Sequence, residues 1–152
     1  EGVAMQRRIL RAFIAMLALT LASCGGGGMV KRINPPAASV QQLRVADDGS
    51  WSLVLRINNF STVPMTFDRL DATLAVAGHP GIPVSVSLAM DIPGMSAEVA
   101  QATVRGNAKL DPARAFDYRL TGTIVTSEPG DTLECDKESR LEPVPGLPGE
   151  FR

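Results

Sequence analysis

Apolar and polar residues alternate along most of the chain after residue 36. In residues 51–58 the odd positions carry Trp, Leu, Leu and Ile, and in residues 82–92 every even position is Ile, Val, Leu or Met. A period of two over such lengths is typical of a half-buried β-strand. No segment after residue 23 has apolar residues at the three-to-four spacing of an amphipathic helix.

A shorter or weaker alternation marks five more segments: residues 40–45, 65–76, 97–104, 116–124 and 131–141. Sequences rich in Gly, Pro, Asn and Asp separate these segments and favour turns. Seven short strands with frequent turns predict an all-β fold, an antiparallel β-sandwich of about seven strands over residues 36–142. A closed barrel is the alternative that this pattern leaves open.

The alternation changes phase once, inside residues 65–76. Met65 and Phe67 are apolar at odd positions, whereas Leu70 and the apolar residues after it fall on even positions. One inserted residue shifts the phase of a strand in this way. We therefore expect a β-bulge at Asp68 or Arg69.

Residues 5–23 have the three parts of a secretory signal peptide. Arg7, Arg8 and Arg11 form a basic region, residues 12–21 are largely apolar, and the small residues Ala22 and Ser23 follow. The apolar run is too short to span a bilayer as a permanent helix. We expect residues 1–23 to be removed, with residues 1–4 standing before the signal proper.

Leu21, Ala22, Ser23 and Cys24 resemble the lipobox of bacterial lipoproteins. The resemblance implies a diacylglyceryl group on the sulfur of Cys24 and cleavage just before that residue, since a thioether needs a nucleophilic thiol. Residues 24–35, which include four consecutive glycines, then form a flexible tether. In the sorting pattern of such lipoproteins an Asp after the cysteine favours the inner membrane. Gly25 therefore predicts the periplasmic face of the outer membrane.

A second resemblance rests on residues 53–80. An apolar strand ends in Asn58 and Asn59, a turn with Pro64 follows, and a second apolar strand leads to Gly78. This order resembles the signature of the late embryogenesis abundant type 2 family, also called the water stress and hypersensitive response domain. That family has Asn-Pro-Asn where this chain has Asn58, Asn59 and Phe60, so the central proline is absent. We expect the Asn58 side chain to tie this turn by hydrogen bonds.

The resemblance covers residues 40–141 and implies a fibronectin-like or immunoglobulin-like β-sandwich. It also implies an association with desiccation or other stress, and no catalytic residues. Bacterial members of the family are often small envelope lipoproteins, which agrees with the interpretation of Cys24.

Charge and composition narrow the possible partners. From Cys24 onward the chain has 12 Lys and Arg against 15 Asp and Glu, a net charge of −3. A mildly acidic surface does not favour a nucleic-acid partner. The expected partners are the membrane, through the N-terminal lipid, and envelope proteins, either as clients or as one specific partner; no small-molecule substrate is identified.

Few residues suggest chemistry. His79 is the only histidine and lies in a Gly-His-Pro-Gly turn, so it lacks the partners of a triad or a zinc site. An acidic run lacks the pattern of a calcium-binding loop and is predicted to be the solvent-exposed face of a strand; its residues are Asp131, Glu134, Asp136 and Glu138. We expect no catalytic residue, metal or cofactor.

Cys135 is the only thiol that remains once Cys24 is lipidated. Its position in phase with Leu133 predicts a small buried side chain, and the alternative is an exposed hook for an intermolecular disulfide.

Residues 143–152 form a tail with Pro143, Pro145 and Pro148. This composition predicts an extended polyproline segment with few internal hydrogen bonds. The tail either packs on its own domain, with Leu147 and Phe151 as anchors, or docks on a partner.

These patterns together predict a non-catalytic, lipid-anchored β-sandwich with a protective role under stress. The alternative is an accessory interaction subunit of an envelope assembly.

Overall fold

Eight β-strands account for most of the chain that the computed structural model describes, namely residue 28 and residues 30–152. They all lie in the compact unit of residues 31–152. In chain order they are β1 (Ala37–Val45), β2 (Ser50–Asn59), β3 (Met65–Val76), β4 (Ile82–Ile92), β5 (Ser96–Arg105), β6 (Phe116–Glu128), β7 (Gly130–Leu141) and β8 (Glu150–Phe151).

The strands form two four-stranded antiparallel sheets. The first sheet has the order β5-β2-β1-β8 and the second has the order β4-β3-β6-β7. The predicted antiparallel β-sandwich is confirmed. It has eight strands in this part of the chain rather than about seven, because residues 150 and 151 add a strand too short to show alternation.

Apolar side chains of both sheets meet between them and form one core. In β2 the alternation puts Trp51, Leu53, Leu55 and Ile57 inside, all at most 1% exposed. The second sheet contributes side chains from β3, β4 and β6, and those at most 1% exposed are Met65, Phe67, Leu70, Leu74, Val76, Val84, Ile92, Leu120 and Ile124. Burial of this apolar surface is the main stabilising contribution to the fold.

The predicted bulge in β3 is confirmed. Phe67 pairs with Thr126 of β6 and Arg69 pairs with Val125, so Asp68 is the extra residue. The bulge lets Phe67 and Leu70 both point into the core although three positions separate them.

Tyr118 of β6 joins the two sheets. Its hydroxyl accepts a hydrogen bond from the backbone N–H of Val40 in β1 at 3.1 Å and lies 3.3 Å from the Val40 carbonyl oxygen. The register of β1 against β2 shifts between Val40 and Gln42. The tyrosine hydroxyl therefore binds the backbone of β1 at the point where its pairing with β2 is irregular. Burial raises the pKa of this hydroxyl above its usual range.

The tail of residues 143–152 folds back on itself, so the expected extended polyproline conformation is wrong. Glu142 and Arg152 exchange two backbone hydrogen bonds of 2.7 and 2.9 Å, and the Val144 N–H donates to the Glu150 carbonyl at 2.8 Å. The returning strand β8 pairs with β1. Phe151 is fully buried, and its ring packs edge-on against Phe116 at a centroid distance of 4.8 Å. Phe151 is therefore the anchor, whereas Leu147 is 49% exposed.

Strand β7 forms one edge of the second sheet and is heavily charged. Its exposed residues include Asp131, Glu134, Asp136, Lys137, Glu138 and Arg140. Charged side chains along an edge oppose pairing with another strand. This edge therefore resists self-association when the protein is concentrated.

We expect Tyr118→Phe to lower the free energy of unfolding by about 1–3 kcal/mol, because the Val40 N–H then loses its partner in the core. Urea denaturation measures this loss. The matched control Ser87→Ala, on an exposed position of β4, is expected to change stability by less than about 0.5 kcal/mol. Equal losses in the two variants would contradict the role given to the hydroxyl.

A second expectation concerns alkaline pH. Because the pKa of Tyr118 is raised in the folded protein, the unfolded chain releases the phenolic proton first, and stability falls as pH rises above about 10. Tyr118 is the only tyrosine. Its ultraviolet absorbance therefore titrates this group directly, and a folded-state midpoint at or below that of the urea-unfolded chain would contradict the assignment.

Candidate functional site: the entry end of the sandwich

The turn between β2 and β3 holds a buried asparagine that crosses the sandwich. Asn59 is fully buried, and its amide nitrogen lies 2.9 Å from the Val63 carbonyl oxygen, 3.0 Å from that of Ile92 and 3.2 Å from that of Pro93. Its amide oxygen accepts the N–H of Ser61 at 2.9 Å. One side chain thus joins the end of β2 to its own turn and to the turn after β4.

The segment before β1 docks on the same turn through backbone and side-chain hydrogen bonds. The Thr62 N–H donates to the Arg32 carbonyl at 2.9 Å, and the Arg32 N–H donates to the Thr62 hydroxyl at 2.9 Å. The buried Ser61 hydroxyl accepts the N–H of Asn34 at 2.8 Å, and the Asn34 amide donates to the Phe60 carbonyl at 2.7 Å. The chain therefore enters the sandwich at a fixed place.

We call this region the entry end and define it by residues 31–34, 59–64 and 92–95. The turn after β4 completes it, since the Met95 N–H donates to the Ser61 carbonyl at 2.9 Å. The opposite end, which we call the far end, consists of residues 46–49, 77–81, 106–115 and 142–149. The register of the strands places these two groups of loops at opposite ends of the sandwich.

Three large apolar side chains of the entry end are exposed. Ile33 is 53% exposed, Phe60 45% and Met95 69%. They come from the three segments that the hydrogen bonds of this end join. Met95 has a positive φ of 56°, a backbone conformation that side-chain-bearing residues adopt rarely. The turn is therefore held in an unfavourable conformation with an apolar side chain pointing outward.

Of the turn residues singled out in the sequence, Asn59 and not Asn58 makes the tie. The Asn58 side chain is half-buried, and its oxygen accepts a bond from the Arg56 side chain at 3.3 Å. Pro64 is exposed just before β3. The alternation in β2 indicates the burial of Asn59, because residue 59 continues the buried odd positions that begin at Trp51.

The lipobox residues Leu21, Ala22, Ser23 and Cys24 lie outside the described residues. Lipidation at Cys24 therefore stays a prediction. Within residue 28 and residues 30–152, no helix has the length and apolar character needed to cross a membrane.

The prediction of a buried Cys135 is confirmed, because its side chain lies in the core at 7% exposure. Burial raises the pKa of its thiol, and the Asp136 carboxylate raises that pKa further. A thiol that keeps its proton reacts slowly, so Cys135 is poorly suited to serve as an intermolecular hook.

The acidic run of β7 does not gather into one site. Asp136 and Glu138 both face Arg119 of β6, at 2.6 and 3.2 Å, and the bonds from Arg119 lower the pKa of the Asp136 carboxyl. No group of three possible metal ligands occurs among the described residues. His79 is exposed in its turn at the far end.

One surface depression of the sandwich holds paired charges. The depression beside Tyr118, with a volume of about 700 Å³, is lined by Asp117, Arg119, Glu138 and Arg140 among others. Arg140 contacts Asp117 at 3.1 Å and Glu142 at 3.0 Å, so its charge is already shared. This arrangement presents neither a nucleophile next to a base nor a free carboxylate pair.

No family model and no curated protein matches the chain. A crystal structure determined as a target of the Northeast Structural Genomics Consortium is 16% identical, with a TM-score of 0.50 over 76% of this chain and 92% of that chain. The solution structure of a protein described as late embryogenesis abundant is 16% identical, with a TM-score of 0.45 over 95% of this chain and 87% of that chain.

A crystal structure of a Bordetella pertussis protein named ApaA is 13% identical, with a TM-score of 0.46 over 76% of this chain and 99% of that chain. At these identities the consortium structure, at a TM-score of 0.50, shows a shared fold and assigns no activity.

We expect Asn59→Asp to lower the free energy of unfolding by about 3 kcal/mol or more, because it replaces a donor with a buried negative charge facing three carbonyl oxygens. Asn58→Asp is the matched control, and we expect it to cost less than about 1 kcal/mol. Urea denaturation at neutral pH compares them. The loss in Asn59→Asp should shrink at pH 3, where the new carboxyl regains a proton; equal effects of the two substitutions would contradict the bracing role.

Proposed function

We propose that the protein is a lipoprotein of the bacterial outer membrane that faces the periplasm and holds a non-catalytic β-sandwich near the bilayer by a lipid on Cys24. The observation that carries this proposal is the fixed entry of the chain. The segment that follows the lipobox and the glycines is bonded at Arg32 and Asn34 to one end of the sandwich. An anchor at Cys24 therefore acts on a defined end of the molecule.

We further propose a protective role under water loss, with envelope proteins as its clients. The resemblance of residues 53–80 to the water stress domain supports this role. So does the outer surface, because the exposed positions of β7 are charged and those of β4 include Ser85 and Ser87. A polar sandwich with a charged edge stays dispersed at high concentration and separates other proteins from one another.

Exposure of Leu147 at the far end favours a second candidate function, an accessory subunit that binds one envelope protein there. Its side chain is 49% exposed in the loop between β7 and β8, on the end opposite the proposed anchor. Removal of residues 143–152 cannot test this candidate, because it also removes the buried Phe151. Leu147→Asp changes the loop surface and leaves the core intact.

The anchor is tested by Cys24→Ala in the full chain, with Cys135→Ala as the matched control. We expect Cys24→Ala to leave the membrane fraction and to lack the mass of the diacylglyceryl group. Cys135→Ala should keep both properties, because its thiol is buried in the sandwich. An unchanged membrane fraction and mass after Cys24→Ala would overturn the lipoprotein proposal.

The protective role is tested by drying a labile enzyme with the purified protein and with an unrelated β-sandwich at equal mass. We expect higher recovered activity with this protein, and the same recovery with Leu147→Asp. No advantage over the unrelated sandwich would contradict protection. Stoichiometric capture of one envelope protein, lost in Leu147→Asp, would favour the accessory subunit instead.

A further inference from the structure

We propose that the entry end rests on the surface of the lipid bilayer, with Ile33, Phe60 and Met95 inserted at the headgroup level and Lys31 and Arg32 facing anionic phospholipid headgroups. This inference rests on the proposed anchor at Cys24 and goes beyond it. The lipid on Cys24 is the first membrane contact, and the entry end is the second one, which orients the sandwich on the bilayer.

Chain length supports the bilayer as the occupant of this surface. Arg32 is the first residue bonded to the β2–β3 turn by a hydrogen bond described above, and eight peptide links separate it from Cys24. A fully extended chain of that length spans at most about 29 Å. An acylated Cys24 lies at the membrane, so the entry end is held close to lipid at all times.

The chemistry of the surface fits lipid. Ile33, Phe60 and Met95 are the large apolar residues of the entry end that are exposed, and two cationic residues, Lys31 and Arg32, directly precede Ile33. Apolar side chains next to lysine and arginine are the usual composition of a protein surface that binds at the bilayer interface. Arg32 is exposed and bonds to the turn through its backbone N–H and carbonyl, which leaves its guanidinium available to headgroups.

Acidic groups on the β6–β7 side of the same end indicate the tilt. Asp68 accepts a hydrogen bond from Ser127, and Glu128 and Asp131 flank the turn between β6 and β7. Asp91 and Glu98 lie instead on β4 and β5, the two strands that the turn of Met95 joins, and Asp91 accepts a bond from Thr66. Anionic headgroups repel the β6–β7 side, so the side made by residues 31–34, 60 and 95 is the one that faces the bilayer.

The test uses the full lipidated protein in vesicles of phosphatidylethanolamine and phosphatidylglycerol. In a Cys135→Ala background, Phe60→Cys and Met95→Cys carry a fluorophore at the entry end, and Asp47→Cys carries it at the far end as the control. Lipids that carry a spin label on the headgroup quench fluorophores that reach the headgroup level. We expect quenching at positions 60 and 95 to exceed that at position 47 by at least about twofold.

A charge variant tests the headgroup contact. Lys31→Glu with Arg32→Glu should lower the quenching at position 60, because the fold uses only the backbone of Arg32. Lys109→Glu with Arg114→Glu, at the far end, is the matched control and should leave quenching unchanged. Equal effects of the two pairs would overturn the headgroup contact.

Mass spectrometry of the same samples separates the two proposals. A lipidated protein with equal quenching at positions 60, 95 and 47 overturns the inference and leaves the anchor standing. A protein without the lipid mass overturns the anchor. In that case, quenching confined to positions 60 and 95 still supports the lipid-binding surface, and the absence of quenching overturns it as well.

Discussion

The buried amide of Asn59 is the interaction on which the entry end depends. It lies at the end of β2 in the first sheet and donates to carbonyl groups of β4 and its following turn, which belong to the second sheet. A buried amide stabilises a fold only when its hydrogen bonds are satisfied, and here both its nitrogen and its oxygen have partners. The same turn then receives residues 32–34, so the position of these three residues depends on this side chain.

Two further ties hold the sheets together away from that end. Tyr118 reaches from β6 to the irregular part of β1, and Phe151 brings the tail into the core beside Phe116. Each of these contacts connects a strand of one sheet to a strand of the other sheet. The contacts therefore restrict the alignment of the two sheets more than apolar packing alone does. The core supplies the stability, and these polar and aromatic contacts select one alignment of the sheets.

The strands could be predicted from the sequence because one face of each sheet is buried, which forces a period of two. The bulge at Asp68 was visible for the same reason, since an extra residue changes that period. Strand β8 was not, because two residues carry no periodicity. The proline content of the tail suggested an extended chain, but the burial of Phe151 and the bonds between residues 142 and 152 close it into a loop.

The candidate site was harder to predict than the fold. The sequence motif places Asn58 and Asn59 in the correct turn and indicates Asn58 for the tie, whereas the phase of β2 places residue 59 inside. The docking of residues 32–34 left no signal, because much of it is made by backbone groups. Exposure of Phe60 and Met95 is likewise a property of the folded turns and not of the sequence pattern.

The pairing of β1 with β8 has a consequence for the time course of folding. Leu43 pairs with Phe151, so the first strand meets its second neighbour only when a residue more than 100 positions later is present. Contacts so distant in sequence form slowly, because a long loop must close before they contribute. A chain that has not yet brought β8 to β1 therefore lacks the last strand of its first sheet. The first sheet is completed only when residues 150 and 151 reach β1.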